Sequence, residues 1–412
     1  MIRLGIDVLL AAHREQLRGA RLGLLTNYAS FTCDGVRNVD ALLEAGGWKS
    51  LTIFGPEHGY WGAVQYMEAD ADQSYRGVPI VSLYDGQSGH ALFPTPRQMA
   101  ELDILLVDLQ DVGARYYTFY ASMANCMEVA AAVGTDVWVL DRPNPIGGVQ
   151  SEGNLLRPPF ISFVGQYPIP NRHGMTIGEL ALFLNDKIGC RLDVVPMQDW
   201  RRSMWWDDTG LDWTHPSPNI PTFDTTIVYP GMCFLEGTNL SEGRGTTRPF
   251  ELFGAPWLDP FRLSDALNDL GLAGVRFDPF YIIPTFHKHA GERCGVARLT
   301  VTDREAFRPV RTGLWCIKVA RDLDPSRFGW ETKMYEFANC PAIDALAGTA
   351  ELRATIDMEQ DFAQFADAYD RAAKGFARIE LQQYRDDATA VRLPVREERG
   401  DRPGAFLPEG RA

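Results

Sequence analysis

Short apolar runs alternate with helical stretches through the first 150 residues, and this alternation restricts the fold more than any other feature of the chain. The runs occupy residues 21–27, 51–55, 78–84, 102–109 and 136–140, with helical stretches near 38–45 and 118–132. Their nearly continuous apolar character fits strands covered on both faces. The pattern predicts a parallel, doubly wound sheet. Such sheets bind ligands outside the carboxyl ends of their strands, so the residues that follow each run matter most. Thr26 and Asn27 close the first run, and Glu57 and His58 follow the second. Gln110, Asp111 and Arg115 follow the fourth, and Asp141, Arg142 and Asn144 the last. Four of the five strands thus send polar groups to one edge, which reads as a site. The first turn is Thr-Asn-Tyr-Ala-Ser and lacks the Gly-x-Gly-x-x-Gly fingerprint, and Walker A is absent. No nucleotide cofactor is expected.

At 412 residues the chain is long for one core, because cores stop growing near roughly 250–300 residues. The texture changes near Val149. A Thr176…Glu179 capping box opens a helix running to Ile188. Strands are predicted at 191–197, 226–229, 274–277 and 295–302, helices around 309–322 and 358–383, and an ordered Trp- and Pro-rich loop over 200–221. The expected organisation is a Rossmann-like α/β domain over 1–150, a second α/β (α+β) domain over 151–394, and a charged, Gly/Pro-rich flexible tail over 395–412.

The net charge of −14 argues against nucleic acid or an anionic membrane as partner. No run of about eighteen apolar residues offers a bilayer span. The seven cysteines are scattered without a C-x-x-C pair, which suits a reducing compartment rather than a zinc site. The segment from Met1 to Asp7 carries no apolar leader region, so the expected location is the cytoplasm, or the periplasm if a leader precedes this sequence.

Six blocks carry a resemblance. They are Phe54-Gly-Pro-Glu-His-Gly59, Asp108-Leu-Gln-Asp-Val-Gly-Ala-Arg-Tyr-Tyr117, Leu140-Asp-Arg-Pro-Asn-Pro-Ile-Gly-Gly148, Arg172-His-Gly-Met-Thr-Ile-Gly-Glu-Leu180, Pro216-Ser-Pro-Asn-Ile-Pro221 and Glu236-Gly-Thr-Asn-Leu-Ser-Glu-Gly-Arg-Gly-Thr246. Together, in this order from about Gly5 to about residue 380, the chain resembles the NamZ-type exo-β-N-acetylmuramidases. The resemblance implies a glycoside hydrolase that releases N-acetylmuramic acid from the non-reducing end of peptidoglycan fragments. It also implies a Rossmann-like domain packed on a second α/β domain, with the active site in the cleft between them. The glutamate of the family's Pro-Glu-His-Gly block is its proposed catalytic residue, which falls on Glu57. A β-N-acetylhexosaminidase of different sugar specificity and a non-catalytic wall-sugar binder stay open as alternatives.

Each candidate has a structural reading beside the functional one. Glu57, in a tight turn after a buried strand, meets the demand of glycoside cleavage for a partly desolvated carboxylic acid; otherwise it is a turn carboxylate. His58 either orients Glu57 and binds sugar hydroxyls or shapes the turn. The second carboxylate is taken as Glu236, with Glu242 and Asp111 as rivals, because glycoside cleavage commonly uses a carboxylate opposite the acid. Where the substrate's own acetamide assists instead, that residue orients it. A lactyl carboxylate calls for a planar bidentate donor, and Arg115, Arg142, Arg172 and Arg244 stand in the matched blocks; the other use of such arginines is internal ion pairing. Asp141, Asn144, His173, Asn219 and Asn239 complete the expected substrate contacts, although the asparagines also suit turns. Phe286-His-Lys-His289, read as a strand, would turn two imidazoles to one face, but no third ligand adjoins them and no metal is expected. Trp61, Trp205, Trp206 and Trp213 are a reservoir for stacking on a sugar ring.

Overall fold

The computed structural model describes residues 1–63, 74–84, 92–333 and 338–386. The tail expected over 395–412 and the end of the second expected domain lie outside the described residues. The first sheet is built from β1 (Arg21–Thr26), β2 (Ser50–Gly55), β3 (Ser74–Tyr75), β4 (Val78–Ser82), β5 (Ile104–Asp108), β6 (Asp136–Leu140) and β7 (Leu192–Val195). Their order is β3-β4-β2-β1-β5-β6-β7, and every pairing except β3–β4 is parallel. Counting the parallel strands alone in chain order gives 3-2-1-4-5-6, the doubly wound order, with its switch point between β1 and β5.

Side chains alternate across this sheet as the pleat requires. On β5 and β6, Leu105, Val107, Val137 and Val139 enter one core, while Ile104, Leu106, Trp138 and Leu140 enter the other. Both faces are therefore buried, which is why these runs read as continuous apolar stretches. The first of the two cores runs on without a break into the second half of the chain, through Tyr229, Phe234, Phe253 and Leu314. There a smaller antiparallel sheet of β8 (Leu252–Ala255), β9 (Val275–Ile282) and β10 (Cys294–Val301), ordered β8-β10-β9, packs on the helix Pro260–Asp269, which in turn meets the helix Pro309–Leu323.

Several expectations are corrected. The stretch 226–229, read as a strand, lies inside the helix Phe223–Met232, which Thr222 caps by accepting the backbone N–H of Thr225. The helix expected over 358–383 is broken: Phe362–Arg371 is helical, and short 3-10 turns follow at Ala372–Gly375 and Gln382–Tyr384. Phe286-His-Lys-His289 is no strand, because His287 and His289 hold left-handed backbone at φ 69° and 56°. The first sheet also takes β7 from beyond residue 150, where the sequence texture changes.

Candidate active site

β2 runs into the Pro56–Gly59 turn, closed by the Gly59 N–H donating to the Pro56 carbonyl at 3.0 Å. Its third residue, His58, has φ 68°, which gives the turn its type II shape. Glu57 is thereby lifted off the carboxyl end of the sheet beside Thr118, whose hydroxyl donates to Glu57 Oε2. Thr118 directly precedes the helix Phe119–Val133 that follows β5. The sheet edge and the start of that helix thus fix the carboxyl between them.

Glu57 lines a pocket that opens to solvent. His58 and the Tyr116–Phe119 stretch come to it from the first sheet. Ser217, Asn219 and Ile220 reach it from the loop before Phe223–Met232, Tyr229 from that helix, Glu236 from the Cys233–Gly237 turn, and Arg244 and Phe250 from the segment leading to β8. That loop is tied to the end of β1, since Asn27 Nδ2 donates to the Pro216 carbonyl at 2.8 Å and Tyr28 Oη to the His215 carbonyl at 2.5 Å.

The far wall is an ionic cluster. Arg244 Nη2 meets Glu236 Oε1 at 2.5 Å, and its Nε lies 3.4 Å from Glu242 Oε1, while Phe250 lies under the guanidinium at 5.3 Å. Glu242 is fully buried and is also met by His287 Nδ1 at 2.9 Å and Lys288 Nζ at 3.0 Å. Burial alone would push its carboxyl up, but Lys288, His287 and Arg244 together hold it well below the usual range. Lys288 also donates to the carbonyls of Leu235 and Leu240, at 2.9 and 3.1 Å, and so clamps the segment that carries Glu236. Gly245 lets this loop approach: a Cβ there would stand 2.6 Å from the Phe286 carbonyl oxygen, and its φ is 78°.

The structure thus gathers Glu57, His58, Asn219, Glu236 and Arg244 at one pocket, with Glu242 behind Arg244. It puts the other residues singled out in the sequence elsewhere. Arg142 is locked to Asp108 by bonds of 2.5 and 3.0 Å with both side chains buried. Arg115 donates to the carbonyls of Asn154, Ile169 and Leu346, and Arg172 pairs with Glu152 at 2.9 Å. Asp141 accepts from Thr176 Oγ1, Tyr384 Oη and the N–H groups of Gly178 and Arg142. Asp111 caps the Gly113 N–H and lies 3.2 Å from His173 Nε2. Asn144 braces Ile146 and Met175, and Asn239 braces Arg327 and Gly329. Asp111, Arg115, Asp141, Arg142 and Asn144 follow strands as expected, but all these polar groups bond within the protein and hold its loops.

The aromatic lining also differs from expectation. Trp205 packs under Arg172 and Arg304, Trp206 against Trp213, and Trp61 against Tyr60. The pocket wall is made of Tyr116, Tyr117, Phe119, Tyr229 and Phe250 instead. Tyr116 and Tyr117 end the Asp108–Tyr117 block, so their place in a matched motif was the available signal. Tyr229 was hidden by the misread strand.

Two family models match the chain one after the other, one described as the N-terminal part of the exo-β-N-acetylmuramidase NamZ over residues 22–224 and one as its C-terminal part over 227–384. The chain belongs to the NamZ family. A relative from Bacillus subtilis (strain 168), the peptidoglycan β-N-acetylmuramidase NamZ, is 44% identical over 383 residues, 92% of this chain and 89% of its own. Among solved structures, a DUF1343 family protein from Bacteroides fragilis superposes with a TM-score of 0.77 at 33% identity, covering 89% of this chain and 98% of its own. A second DUF1343 protein of that organism gives 0.69 at 27% identity, over 91% and 96%. The two models meet at residues 224–227, the start of the helix that brings Tyr229 to the pocket.

Proposed function

We propose that the chain is an exo-β-N-acetylmuramidase, hydrolysing the glycosidic bond that joins a terminal non-reducing N-acetylmuramic acid to the rest of a peptidoglycan fragment. The observation that carries this reading is one pocket lined by Glu57 from the N-terminal family segment and by Glu236 and Arg244 from the C-terminal one. Glu57 is the acid that protonates the leaving oxygen. Glu236 serves as the second carboxylate, either acting at the anomeric centre or orienting the acetamide. Of the four arginines singled out in the sequence, Arg244 is the one at the pocket, and its planar fork suits the lactyl carboxylate. His58 and Asn219 contact the sugar hydroxyls. We place the reaction in the cytoplasm, in recycling of imported wall fragments, on the support of seven free thiols, five of them buried; recovery of the native protein from a periplasmic fraction overturns that placement.

The test is hydrolysis of 4-nitrophenyl β-N-acetylmuraminide. Glu57→Gln lowers kcat by about 10²–10⁴-fold with the fold intact. Arg244→Gln lowers kcat/KM on the muraminide by about 10–100-fold more than on the corresponding glucosaminide, and the loss common to both reports its pairing with Glu236. A wild type that leaves the muraminide uncut overturns the reading, and wild-type turnover in Glu57→Gln removes Glu57 as the acid.

A further inference from the structure

Tyr117 lines the pocket, yet the roles given to Glu57, Glu236 and Arg244 make no use of it. Its side chain is only 5% exposed. The ring stands 4.7 Å from that of Phe119 and edge-on to Tyr229 at 6.1 Å, which leaves the phenol oxygen little freedom. Ser217 is the hydroxyl beside it, and Asp111 and Glu57 are the charges it senses. Ser217 acts on it as a donor, and among the described residues the Tyr117 O–H finds no acceptor with full hydrogen-bond geometry. Burying such a group without a partner costs about 1–3 kcal/mol, so a fold that keeps one beside a catalytic carboxyl has a use for it. Burial also holds the phenol proton in place well above its ordinary range, so the group is a neutral donor at any working pH.

The surroundings narrow what that donor meets. Phe119, Val164, Ile220, Tyr229 and Phe250 give the pocket an apolar wall. A ligand group that suits both the wall and the phenol combines a carbonyl acceptor with an apolar end. A ring hydroxyl has no apolar end, and a carboxylate belongs with the cation Arg244. An N-acetyl group has both parts.

We propose that Tyr117 donates a hydrogen bond to the carbonyl oxygen of the substrate's 2-acetamido group while the acetyl methyl rests on the aromatic wall, so that Tyr117 selects 2-acetamido over 2-hydroxy sugars. The inference rests on the muramidase reading, because it assigns one part of that substrate. Tyr117 joins the residues that touch substrate, and it sits one position before the Thr118 that holds Glu57. One short segment therefore positions the acid and reads the neighbouring substituent of the same sugar ring.

Tyr117→Phe removes an oxygen whose one protein neighbour is the imperfectly placed Ser217 hydroxyl, so the variant keeps its thermal midpoint. Calorimetric titration compares N-acetylmuramic acid with its 2-hydroxy counterpart, the 3-O-lactyl ether of glucose. The wild type binds the N-acetyl sugar more tightly. The variant loses about ten-fold on that sugar and nothing on the counterpart, so the preference collapses. Equal losses on both sugars, or a preference that survives the substitution, overturn the proposal. Hydrolysis of 4-nitrophenyl β-N-acetylmuraminide by the wild type is measured alongside. If the wild type cleaves it and the preference survives in Tyr117→Phe, the Tyr117 assignment alone fails; if the wild type cleaves nothing, the reading beneath it fails.

Discussion

The backbone at His58, with φ 68° and a Cβ, carries a strain of about 1–2 kcal/mol, since a glycine would hold the same turn without it. Histidine there gains no stability from its backbone, so what the residue contributes lies in its side chain, within the turn or at the pocket. A substrate role for the imidazole predicts that His58→Gly lowers kcat/KM with the thermal midpoint kept; a drop of several degrees would show that the imidazole holds the turn together. Thr118 separates stability from catalysis in another way. Its hydroxyl donates to Glu57 Oε2, so Thr118→Val, which keeps the shape, lowers kcat by about 10–100-fold with the fold retained; kcat within two-fold of wild type excludes a positioning role. The motif around Glu57 was legible in the sequence because a Pro-Glu-His-Gly turn after an apolar run is local. Thr118 was not, since its contact spans 61 positions and nothing in its neighbours signals a carboxylate. Arg142, Asp141 and Arg115 were over-read for the same reason. A charged residue at a strand end looks the same in sequence whether it meets a ligand or, as Arg142 does, an Asp108 brought beside it by the fold.

Among the elements, the strands of the doubly wound sheet could be read because burial on both faces writes itself into composition. The helix Phe223–Met232 could not, because Thr225-Thr-Ile-Val-Tyr229 is a β-former's sequence. Tertiary packing overrides that preference: the backbones of Gly231 and Gly313 touch, and a Cβ on Gly313 would stand 2.1 Å from the Gly231 carbonyl oxygen. The segment around Lys288 is the other element whose role is invisible locally, since its partners lie 46 to 53 positions earlier. It makes a prediction of its own. Lys288→Met leaves Glu242 buried with fewer cations, which costs about 3 kcal/mol and loosens the turn bearing Glu236, so thermal stability and kcat fall together. The pH dependence carries the sign. Glu242 is depressed in the fold, so the stability it contributes is present above its ordinary value of 4.5 and is lost as pH falls below it. The gap between wild type and variant in thermal melts is therefore wide at about pH 7 and narrows below about pH 4; a constant gap would locate the role of Lys288 in its carbonyl contacts alone.

At the scale of the whole molecule, the end of the described chain closes back onto the first sheet. Tyr384 is fully buried there, its ring edge-on to Trp200 at 5.0 Å. Its hydroxyl accepts from the Met197 N–H at 2.8 Å and donates to Asp141 Oδ2 at 2.6 Å. Asp141 in turn receives Thr176 and Gly178, at the start of the helix Ile177–Ile188. One carboxyl thus joins β6, that helix and the end of the described chain, which explains why an acid expected at the substrate has a structural post. Burial raises Asp141 to about 6, with Tyr384, Gly178, Thr176 and Arg142 pulling it back down, and raises its neighbour Glu179 to about 7 against the pull of Arg202. Both folded values lie above the ordinary ones, so the stability these groups contribute is complete below about pH 4 and is lost as pH rises through about 6 to 7. Tyr384→Phe isolates the Asp141 share from every other titrating group. At about pH 5, with much of Asp141 protonated, the variant forfeits an interaction of about 1 kcal/mol, and at about pH 8 it withdraws a donor from an ionised carboxylate, which costs about 1.5–3 kcal/mol. The loss in thermal midpoint is therefore larger at pH 8 than at pH 5. An equal loss at the two would mean that the hydroxyl serves the Met197 N–H alone, and that Asp141 is held by the loops around it without help from the returning chain.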